Sequence, residues 1–491
     1  MTLGMKTLRG ASVMVSSQLI AQLVRLASTV ILARLLMPSD FGILAIMVGV
    51  KEVVGLVLSF GPGSYLIREA DIDERKYNTA FTINVIRGLL MALAIAALAY
   101  PVSVFLENEK LMPILLAGSL GSVCIGFVNP GLLMHSKNMN FAPLAKVLLY
   151  NALSTVLVTI ALALIIESYW ALVIGSIWGS VSEVLFSYLM HKFRPKFSLY
   201  GVREMFSFTV WVSLGSFPVA LATRVDTFVL ERFVGTAAVG IFSTAKSFAQ
   251  MPNTILLSVS QKVFYSTFSA VREGKQREAY VYMELIGTII AILAPLMVGF
   301  ALCAEETVPL VFGEKWLAMI PLVQFLPIFF LAQLIVNNAH SQVLKDGRTK
   351  LLTVRGFALL AIRAPLLITG GIHYGFNGVV GGFLLSGLLM ILFDIWLVRT
   401  VLPVRVADYL SRLWRPVLSV SAMAAACLGI PQLLNIDTGI LSLAIKMVVG
   451  AAVYPAVSFA LWKLSGSPQG PERRIVNLTE MALAKRKRRK A

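Results

Sequence analysis

The residues of this chain with the clearest capacity for chemistry are charged side chains in the middle of long apolar stretches. The cations of this kind are Arg25, Lys51, Arg87, Arg224, Lys246 and Arg363. A charge at the centre of a bilayer costs at least about 2.5–3.5 kcal/mol on insertion scales, so it normally faces water or an opposite charge. We therefore expect these six cations to line one cavity that attracts anions, since a guanidinium binds phosphate oxygens in pairs and an ammonium binds them as a point charge.

Acidic residues at comparable depth are fewer, and they are Glu52, Glu183, Asp226, Glu284 and Asp394. Asp226 is a candidate ion-coupling residue, and a helix–helix ion pair is the other interpretation of the same side chain. Glu52 follows Lys51 directly, but neighbouring residues on a helix project in different directions. The alternative to a cationic cavity is that each cation extends to the membrane interface or pairs locally. Arg355, Lys262 and Lys446 fit that alternative well.

Other catalytic patterns are missing from the sequence. The four histidines are scattered, and no His, Cys, Asp and Glu cluster has the spacing of metal ligands. The three cysteines, Cys124, Cys303 and Cys427, lie in apolar runs and are interpreted as small hydrophobic residues. The sequence contains no G-x-x-x-x-G-K-[ST] loop for a nucleotide phosphate. We therefore expect a protein that is not an enzyme and that uses no cofactor and no metal.

The composition places these charges in a membrane. The 491 residues are 57% hydrophobic and only 14% charged, and the mean hydropathy is +0.81. Ordinary soluble domains are about 45–50% apolar and about 25% charged. These values exclude a soluble globular protein, a disordered chain and a coiled coil, and they indicate a polytopic membrane protein.

Transmembrane helices need about 20 mostly apolar residues each. The sequence predicts an all-α polytopic membrane protein with about 14 such helices. Their expected ranges are roughly 11–33, 41–61, 79–106, 112–134, 144–166, 169–190, 206–231, 238–265, 281–303, 318–343, 352–371, 376–400, 414–430 and 439–464.

The distribution of basic residues predicts the orientation. If both termini are cytoplasmic, the cytoplasmic segments hold about 30 of the 43 basic residues and the outer loops hold about four. This asymmetry accounts for most of the net charge of +18 without nucleic acid as a partner. The basic run 485–490 falls on the same side, where anionic lipid attracts it. Both chain termini are therefore expected in the cytoplasm.

A short internal repeat predicts the domain organisation. Arg34 and Gly42 are followed at an offset of 198 residues by Arg232 and Gly240, and both pairs lie where one apolar helix ends and the next begins. We expect two six-helix lobes, 1–200 and 201–403, related by a pseudo-two-fold axis along the membrane normal. Two extra transmembrane helices over 404–464 and a basic cytoplasmic tail over 465–491 complete the chain. A cleft between two such lobes is suited to alternating access.

Two segments carry a resemblance to a known family. The stretch from Ile31 to Ala45 and the stretch from Arg224 to Pro252 resemble the signatures of the polysaccharide transporter family. These proteins are Wzx-type flippases of the multidrug/oligosaccharidyl-lipid/polysaccharide exporter superfamily. The second stretch matches the family pattern at Asp226, Arg232, Gly235, Gly240, Phe242, Ala245 and Pro252. Phe242 departs from the pattern, because the family usually has Tyr there.

The resemblance, nearest to exporters of the succinoglycan and colanic-acid kind, implies a substrate. Such proteins move polyprenyl-diphosphate-linked oligosaccharide repeat units across the inner membrane for exopolysaccharide or lipopolysaccharide biosynthesis, alongside a polysaccharide polymerase or export machinery. By motif position, Arg25, Lys51 and Lys246 match cavity residues of the related lipid II flippases, and Arg224 and Arg87 match less closely. The alternatives are a multidrug antiporter of the same superfamily, which would need acids in its cavity, and a membrane polysaccharide polymerase, which would need a long outer loop.

Overall fold

The computed structural model describes residues 3–58, 66, 73–137, 140–253, 274–337, 343, 348–434, 439–467 and 473, and these residues are helical with no strand among them. The helices are α1 Leu3–Leu35, α2 Pro38–Val57, α3 Glu74–Phe105, α4 Leu111–Gly126, α5 Leu132–Lys137, α6 Ala142–Ile166, α7 Tyr169–Met190, α8 Val202–Phe233, α9 Thr236–Ala249, α10 Lys275–Leu302, α11 Ala304–Phe312, α12 Ile320–Asn337, α13 Thr349–Val401, α14 Val406–Leu433 and α15 Ile440–Leu464. The basic run 485–490 and the predicted helix beyond 253 lie outside the described residues.

The prediction of an all-α membrane protein is confirmed. Within the described residues, nine helices are long and apolar enough to cross a membrane, and α4 is a shorter apolar helix. Each of the fourteen predicted stretches has helix over at least part of its length. The number of fourteen membrane crossings stays a prediction.

α13 is 53 residues long and consists of two helical arms that meet at a chain reversal. Gly375 has φ 54° and ψ −133°, a left-handed conformation that glycine adopts without the steric cost of a side chain. The arms before and after Gly375 pack so closely that a Cβ on Gly382 would lie 2.6 Å from the carbonyl oxygen of Leu366. The stretches predicted at 352–371 and 376–400 are therefore the two arms of a helical hairpin.

The chain divides into two compact units, and the first comprises Met1–Ser243 and Thr353–Ser386. α2 is central to this unit because it packs against α3, α4, α7 and α8. The unit also pairs α3 with α4, α6 with α7, and α1 with α6. A helix with neighbours on so many sides can place consecutive side chains in different environments. The predicted lobes 1–200 and 201–403 stay a prediction.

Two glycines in unit 1 allow backbones to cross at close range. A Cβ on Gly42 of α2 would overlap the carbonyl oxygen of Thr236, and a Cβ on Gly240 of α9 would overlap the carbonyl oxygen of Pro38. Pro38 and Thr236 are separated by 198 residues, as are Gly42 and Gly240. The two close contacts are therefore equivalent under the sequence offset of the repeat.

Polar side chains surround this crossing. Nδ2 of Asn108 donates to Oε1 of Glu231 at 2.7 Å, and Oγ1 of Thr236 donates to the same oxygen at 2.8 Å. Nη1 of Arg232 lies 2.7 Å from Oε2 of Glu107. These bonds connect the turn between α3 and α4 to the junction of α8 and α9.

The chain between α7 and α8, His191–Gly201, is named the strap here. It contains no helix, and its last two residues form a turn, yet its backbone is tied to α3. The backbone N–H of Lys196 donates to Oδ1 of Asn78 at 2.8 Å, and the N–H of Ser198 donates to Oγ1 of Thr82 at 2.9 Å. At its start, the N–H of Phe193 donates to Nδ1 of His191 at 3.0 Å.

The second unit comprises Thr244–Leu352 and Gly387–Ala491. One of its apolar clusters joins residues of α10, α12, α13 and α14, among them the fully buried Tyr282 and Leu397. α15 is attached by a buried ion pair, because Nζ of Lys446 lies 2.6 Å from Oε1 of Glu306. Nζ also donates to the carbonyl oxygen of Leu302 at 3.0 Å, and Ser442 donates to Glu306 at 2.8 Å. Lys446 therefore pairs locally rather than lining a cavity.

Substitution of Gly240 by Ala should destabilise the folded chain. The added methyl group overlaps the backbone of Pro38, so a helix must shift, and overpacking of this kind costs about 1–3 kcal/mol. Thermal unfolding in detergent should show a melting temperature lower by several degrees. Gly381→Ala is the matched control, because nothing lies within 4 Å of a Cβ at that helical position. Equal melting temperatures for the two variants would contradict the close crossing.

Acidification should weaken the strap through His191. Partial burial, then the nearby His135 and Arg194, lowers the pKa of His191 below its ordinary value of 6.5. The folded chain then binds fewer protons at this site than the unfolded chain, so the free energy of unfolding falls as pH drops below about 6.5. Protonation also removes the Nδ1 acceptor that Phe193 uses. Melting temperatures at about pH 7 and about pH 5 should differ less in His191→Gln than in wild type or in the exposed-histidine control His373→Gln. The same pH dependence in all three proteins would refute this role.

Candidate functional site

Five of the six predicted cavity cations lie in unit 1, on α1, α2, α3, α8 and α13. They do not share one environment. Arg25 is exposed, Lys51, Arg87 and Arg224 are half-buried, and Arg363 is buried. Lys246 belongs to unit 2 and is half-buried on α9.

Arg25 and Lys51 both lie within electrostatic range of one acidic side chain. The carboxylate of Glu183 on α7 is attracted electrostatically to Lys51 on α2 and to Arg25 on α1. Desolvation of a carboxylate at this depth is unfavourable, and two cations offset it. The group named the α2 cluster therefore consists of Arg25, Lys51 and Glu183, with one more positive than negative charge.

The absence of a side chain at Gly121 leaves space beside the Lys51 ammonium. A Cβ on Gly121 of α4 would lie 3.5 Å from Nζ of Lys51 and 3.1 Å from Oγ of Ser180. Ser180 is on α7, one turn before Glu183. The ammonium thus lies where α2, α4 and α7 pack together, beside a hydroxyl oxygen. A larger residue at position 121 would occupy the space next to the ammonium.

Arg224 is paired with Glu52 on α2. Nε of Arg224 donates to Oε2 of Glu52 at 2.8 Å, and Nη2 makes a second contact with the same oxygen. The Arg224 side chain crosses Gly49, whose Cβ would be 3.7 Å from its Cδ. Arg224 is neutralised in this conformation, so it does not add a free positive charge to the α2 cluster. Lys51 and Glu52 project to different neighbouring helices, as their spacing predicts.

Arg363 is held inside the protein by polar and aromatic groups, with an acid nearby. Its Nε donates to Oγ of Ser386 at 3.2 Å, its Nη1 donates to the carbonyl oxygen of Ala222 at 3.4 Å, and its Cζ lies 4.8 Å from the ring centroid of Phe383. Asp226, which is 1% exposed, attracts the guanidinium electrostatically. These contacts connect both arms of the α13 hairpin to α8. Sequence reasoning did not identify Ser386 or Phe383, because neither belongs to a motif.

Asp226 and Arg87 have different surroundings. Oδ1 of Asp226 accepts a hydrogen bond from the backbone N–H of Thr227 at 2.9 Å. Nε of Arg87 on α3 is buried without a hydrogen-bond partner among the described residues. A buried donor left unsatisfied is unfavourable, so Arg87 is a group that a ligand oxygen or a water would stabilise.

The α2 cluster can bind an anion without a chemical reaction. It offers an exposed guanidinium with five N–H donors and a half-buried ammonium with three. Both prefer phosphate or carboxylate oxygens, and Glu183 can compete with such a ligand for the same cations. Among the described residues, no group of three or more His, Cys, Asp and Glu side chains is arranged to hold a metal ion.

Comparison with known proteins places this arrangement in a family. Residues 31–321, more than half of the chain, match the family described as polysaccharide biosynthesis protein. The chain belongs to the polysaccharide biosynthesis protein family. The matched range includes both segments that carry the predicted resemblance, and it contains Lys51, Glu183 and Arg224. The prediction of the family is confirmed.

Two curated relatives are similar over most of the chain. The lipopolysaccharide biosynthesis protein WzxC of Escherichia coli (strain K12) is 25% identical over 425 residues, covering 85% of this chain and 86% of the relative. The teichuronic acid biosynthesis protein TuaB of Bacillus subtilis (strain 168) is 24% identical over 396 residues, covering 76% of this chain and 78% of the relative.

Two solved structures share the fold. The lipid II flippase MurJ in an inward closed conformation superposes with a TM-score of 0.71 at 16% identity, covering 91% of this chain and 98% of that one. An outward-facing multidrug resistance transporter of the MATE family superposes with a TM-score of 0.51 at 14% identity, covering 81% of this chain and 96% of the transporter. At these identities the likeness concerns the fold alone, and the family member described here has the MurJ-like fold.

Reversal of both charges of the Arg224–Glu52 pair should be tolerated better than reversal of Arg224 alone. Arg224→Glu alone places two carboxylates against each other, and like charges at this depth repel. The melting temperature of this single variant should fall by a few degrees. Addition of Glu52→Arg should recover most of the loss. A double variant no more stable than Arg224→Glu would show that the two side chains do not interact.

Proposed function

We propose that this chain translocates polyprenyl-diphosphate-linked oligosaccharide repeat units across the bacterial inner membrane for exopolysaccharide biosynthesis. The single observation that supports this function best is the α2 cluster, in which Arg25 and Lys51 are both attracted electrostatically to the carboxylate of Glu183, in a member of the polysaccharide biosynthesis protein family. WzxC is named as a lipopolysaccharide biosynthesis protein, and MurJ is named as a lipid II flippase. Both names are consistent with a lipid-linked substrate.

The diphosphate is the part of such a substrate that the cluster recognises. The guanidinium of Arg25 binds two phosphate oxygens, and the ammonium of Lys51 binds a third. Before the substrate enters, Glu183 neutralises part of the positive charge and lowers the cost of keeping two cations at this depth. When the diphosphate binds, it replaces the carboxylate as the counter-ion. The lipid tail stays in the bilayer, and no covalent bond is made or broken.

Alternating access between two lobes is the proposed route. In this proposal residues 1–200 and 201–403 form the lobes, with both chain termini in the cytoplasm. Arg224, Lys246, Arg87 and Arg363 are the further cations of the cavity. The Arg224–Glu52 pair has to separate before Arg224 can bind substrate. Asp226 is the proposed ion-coupling residue, and a polysaccharide polymerase is a proposed partner for the translocated units.

The multidrug antiporter is the second candidate, and the MATE-like fold is the observation in its favour. Transport of an organic cation would require a cavity dominated by acids. The α2 cluster has two cations for one carboxylate, which disfavours a cationic substrate. Accumulation of lipid-linked repeat units on the cytoplasmic leaflet after deletion of the gene distinguishes the flippase from the antiporter.

The double variant Arg25→Glu, Lys51→Glu should abolish polymer export while the protein still inserts. Three carboxylates would then replace the two cations and one carboxylate, and an anionic diphosphate would be repelled. Cell-surface polysaccharide in a deletion strain complemented with the variant is the measurement, with protein level checked by immunoblot. Lys110→Glu, Lys350→Glu is the matched control, since both lysines are exposed and distant from the α2 cluster in sequence. Normal export at a normal protein level in the first variant would refute the assignment.

A further inference from the structure

The strap has two faces with different composition. Its inward side is apolar and packed: the ring of Phe193 lies 6.2 Å from that of Tyr77, and the ring of His191 lies 4.8 Å from that of His135. Its outward side carries Lys192, Arg194 and Lys196, all exposed. Alternate residues of an extended segment point to opposite sides, so the three cations form a row with neighbours about 6.6 Å apart.

The row is held in a fixed shape. Backbone bonds to Asn78 and Thr82 fix the middle of the strap, and Nδ2 of Asn129 donates to the carbonyl oxygen of Phe193 at 2.9 Å. Oγ1 of Thr79 donates to the carbonyl oxygen of Tyr200 at 2.8 Å. The strap is therefore attached along its length, and its cations do not lose backbone entropy when they bind a ligand.

Large apolar side chains follow the cations directly. Phe197, Leu199 and Tyr200 are 69%, 64% and 54% exposed. The strap joins the end of α7 at Met190 to the start of α8 at Val202. Because α7 is a candidate membrane span, the strap begins at the level where that helix leaves the hydrocarbon. Basic side chains next to exposed aromatic and aliphatic ones are typical of segments that lie in the membrane interface.

The charges around the strap favour an anionic ligand. Arg75 lies over the Tyr200 ring at 5.8 Å, and because its Nε lies 3.8 Å from Oδ2 of Asp73, this cation is already paired. Nη1 of Arg194 donates to the carbonyl oxygens of His191 and Phe193, and its Cζ lies 5.5 Å from the Tyr188 ring centroid. The guanidinium keeps further N–H donors for a ligand.

We propose that the strap is a docking surface for anionic phospholipid headgroups of the surrounding bilayer. Phosphate oxygens accept from Lys192, Arg194 and Lys196, while Phe197, Leu199 and Tyr200 enter the boundary between headgroups and acyl chains. The exposed apolar side chains favour this occupant over a soluble phosphate or an acidic protein, neither of which would cover them. The proposal does not depend on which molecule the chain transports.

Lipid retention by the purified full-length protein tests the proposal. The protein is equilibrated in mixed micelles with equal amounts of phosphatidylglycerol and phosphatidylcholine, and bound lipids are counted by native mass spectrometry. Wild type should retain phosphatidylglycerol preferentially, with a preference that declines as salt rises. Each basic side chain near an anionic surface strengthens binding about fivefold, so Lys192→Gln, Arg194→Gln, Lys196→Gln should reduce the preference at least about tenfold.

Matched variants make the result decisive. Lys110→Gln, Lys315→Gln, Lys350→Gln removes three exposed cations elsewhere and should keep the preference. Lys192→Gln, Lys196→Gln spares the Arg194 contacts, so it tests the same surface if the triple variant fails to fold.

Equal retention of phosphatidylglycerol by the strap variants and wild type would overturn the proposal. Displacement of phosphatidylglycerol by inorganic pyrophosphate at equal concentration would also overturn it, by showing a site for a soluble anion. Because transport is not measured, failure here leaves the proposed flippase function untouched.

Discussion

The cost of keeping a charge in hydrocarbon is the constraint on which the rest of this structure depends. The described residues meet it in three ways. Arg224 and Lys446 are paired with Glu52 and Glu306. Arg363 is surrounded by a hydroxyl, a carbonyl oxygen and an aromatic ring. Arg25 stays exposed, and Lys51 shares a carboxylate with it. Of these three arrangements, the third leaves positive charge available to a ligand, and this is why the α2 cluster is the first candidate site. Arg87, whose Nε is buried without a hydrogen-bond partner among the described residues, is a further cation that a ligand could stabilise.

The position of α2 among its neighbouring helices determines where its opposite charges lie. Lys51 and Glu52 are adjacent in sequence, yet one lies at the packing of α4 and α7 and the other binds Arg224 of α8. A helix with neighbours on several sides can separate opposite charges by about 100° of rotation and prevent them from neutralising each other. The same helix begins at Pro38 and contacts α9 through Gly42. A movement of α2 relative to α8 and α9 would therefore change the close crossing and the Arg224–Glu52 pair together.

Local features of the fold were accessible from the sequence, and pairings between distant residues were not. Hydropathy located the helices, since apolar runs of sufficient length have few other structures in a bilayer. The predicted stretch 112–134 is instead divided after Gly126, where Pro130 lacks an N–H and Oδ1 of Asn129 accepts from the N–H of Gly131. The divergence of Lys51 and Glu52 followed from helix geometry. The partner of Arg224 did not, because Glu52 is 172 residues away and only packing brings it near. Gly121 carried no signal either, since its importance lies in the volume it leaves empty.

Depth decides what each basic residue does, and this explains why a net charge of +18 says little by itself. At the strap, lysine and arginine are exposed, so the cost of desolvating them is small. Electrostatic attraction to anionic lipid is then a net favourable contribution. Within the membrane-spanning helices the same side chains are acceptable only with a partner, a polar lining or water. A cation that gives up its internal carboxylate for a phosphate keeps its counter-ion throughout the exchange. A site in which Glu183 partly neutralises Lys51 and Arg25 therefore carries less uncompensated charge between binding events than a site of cations alone would carry.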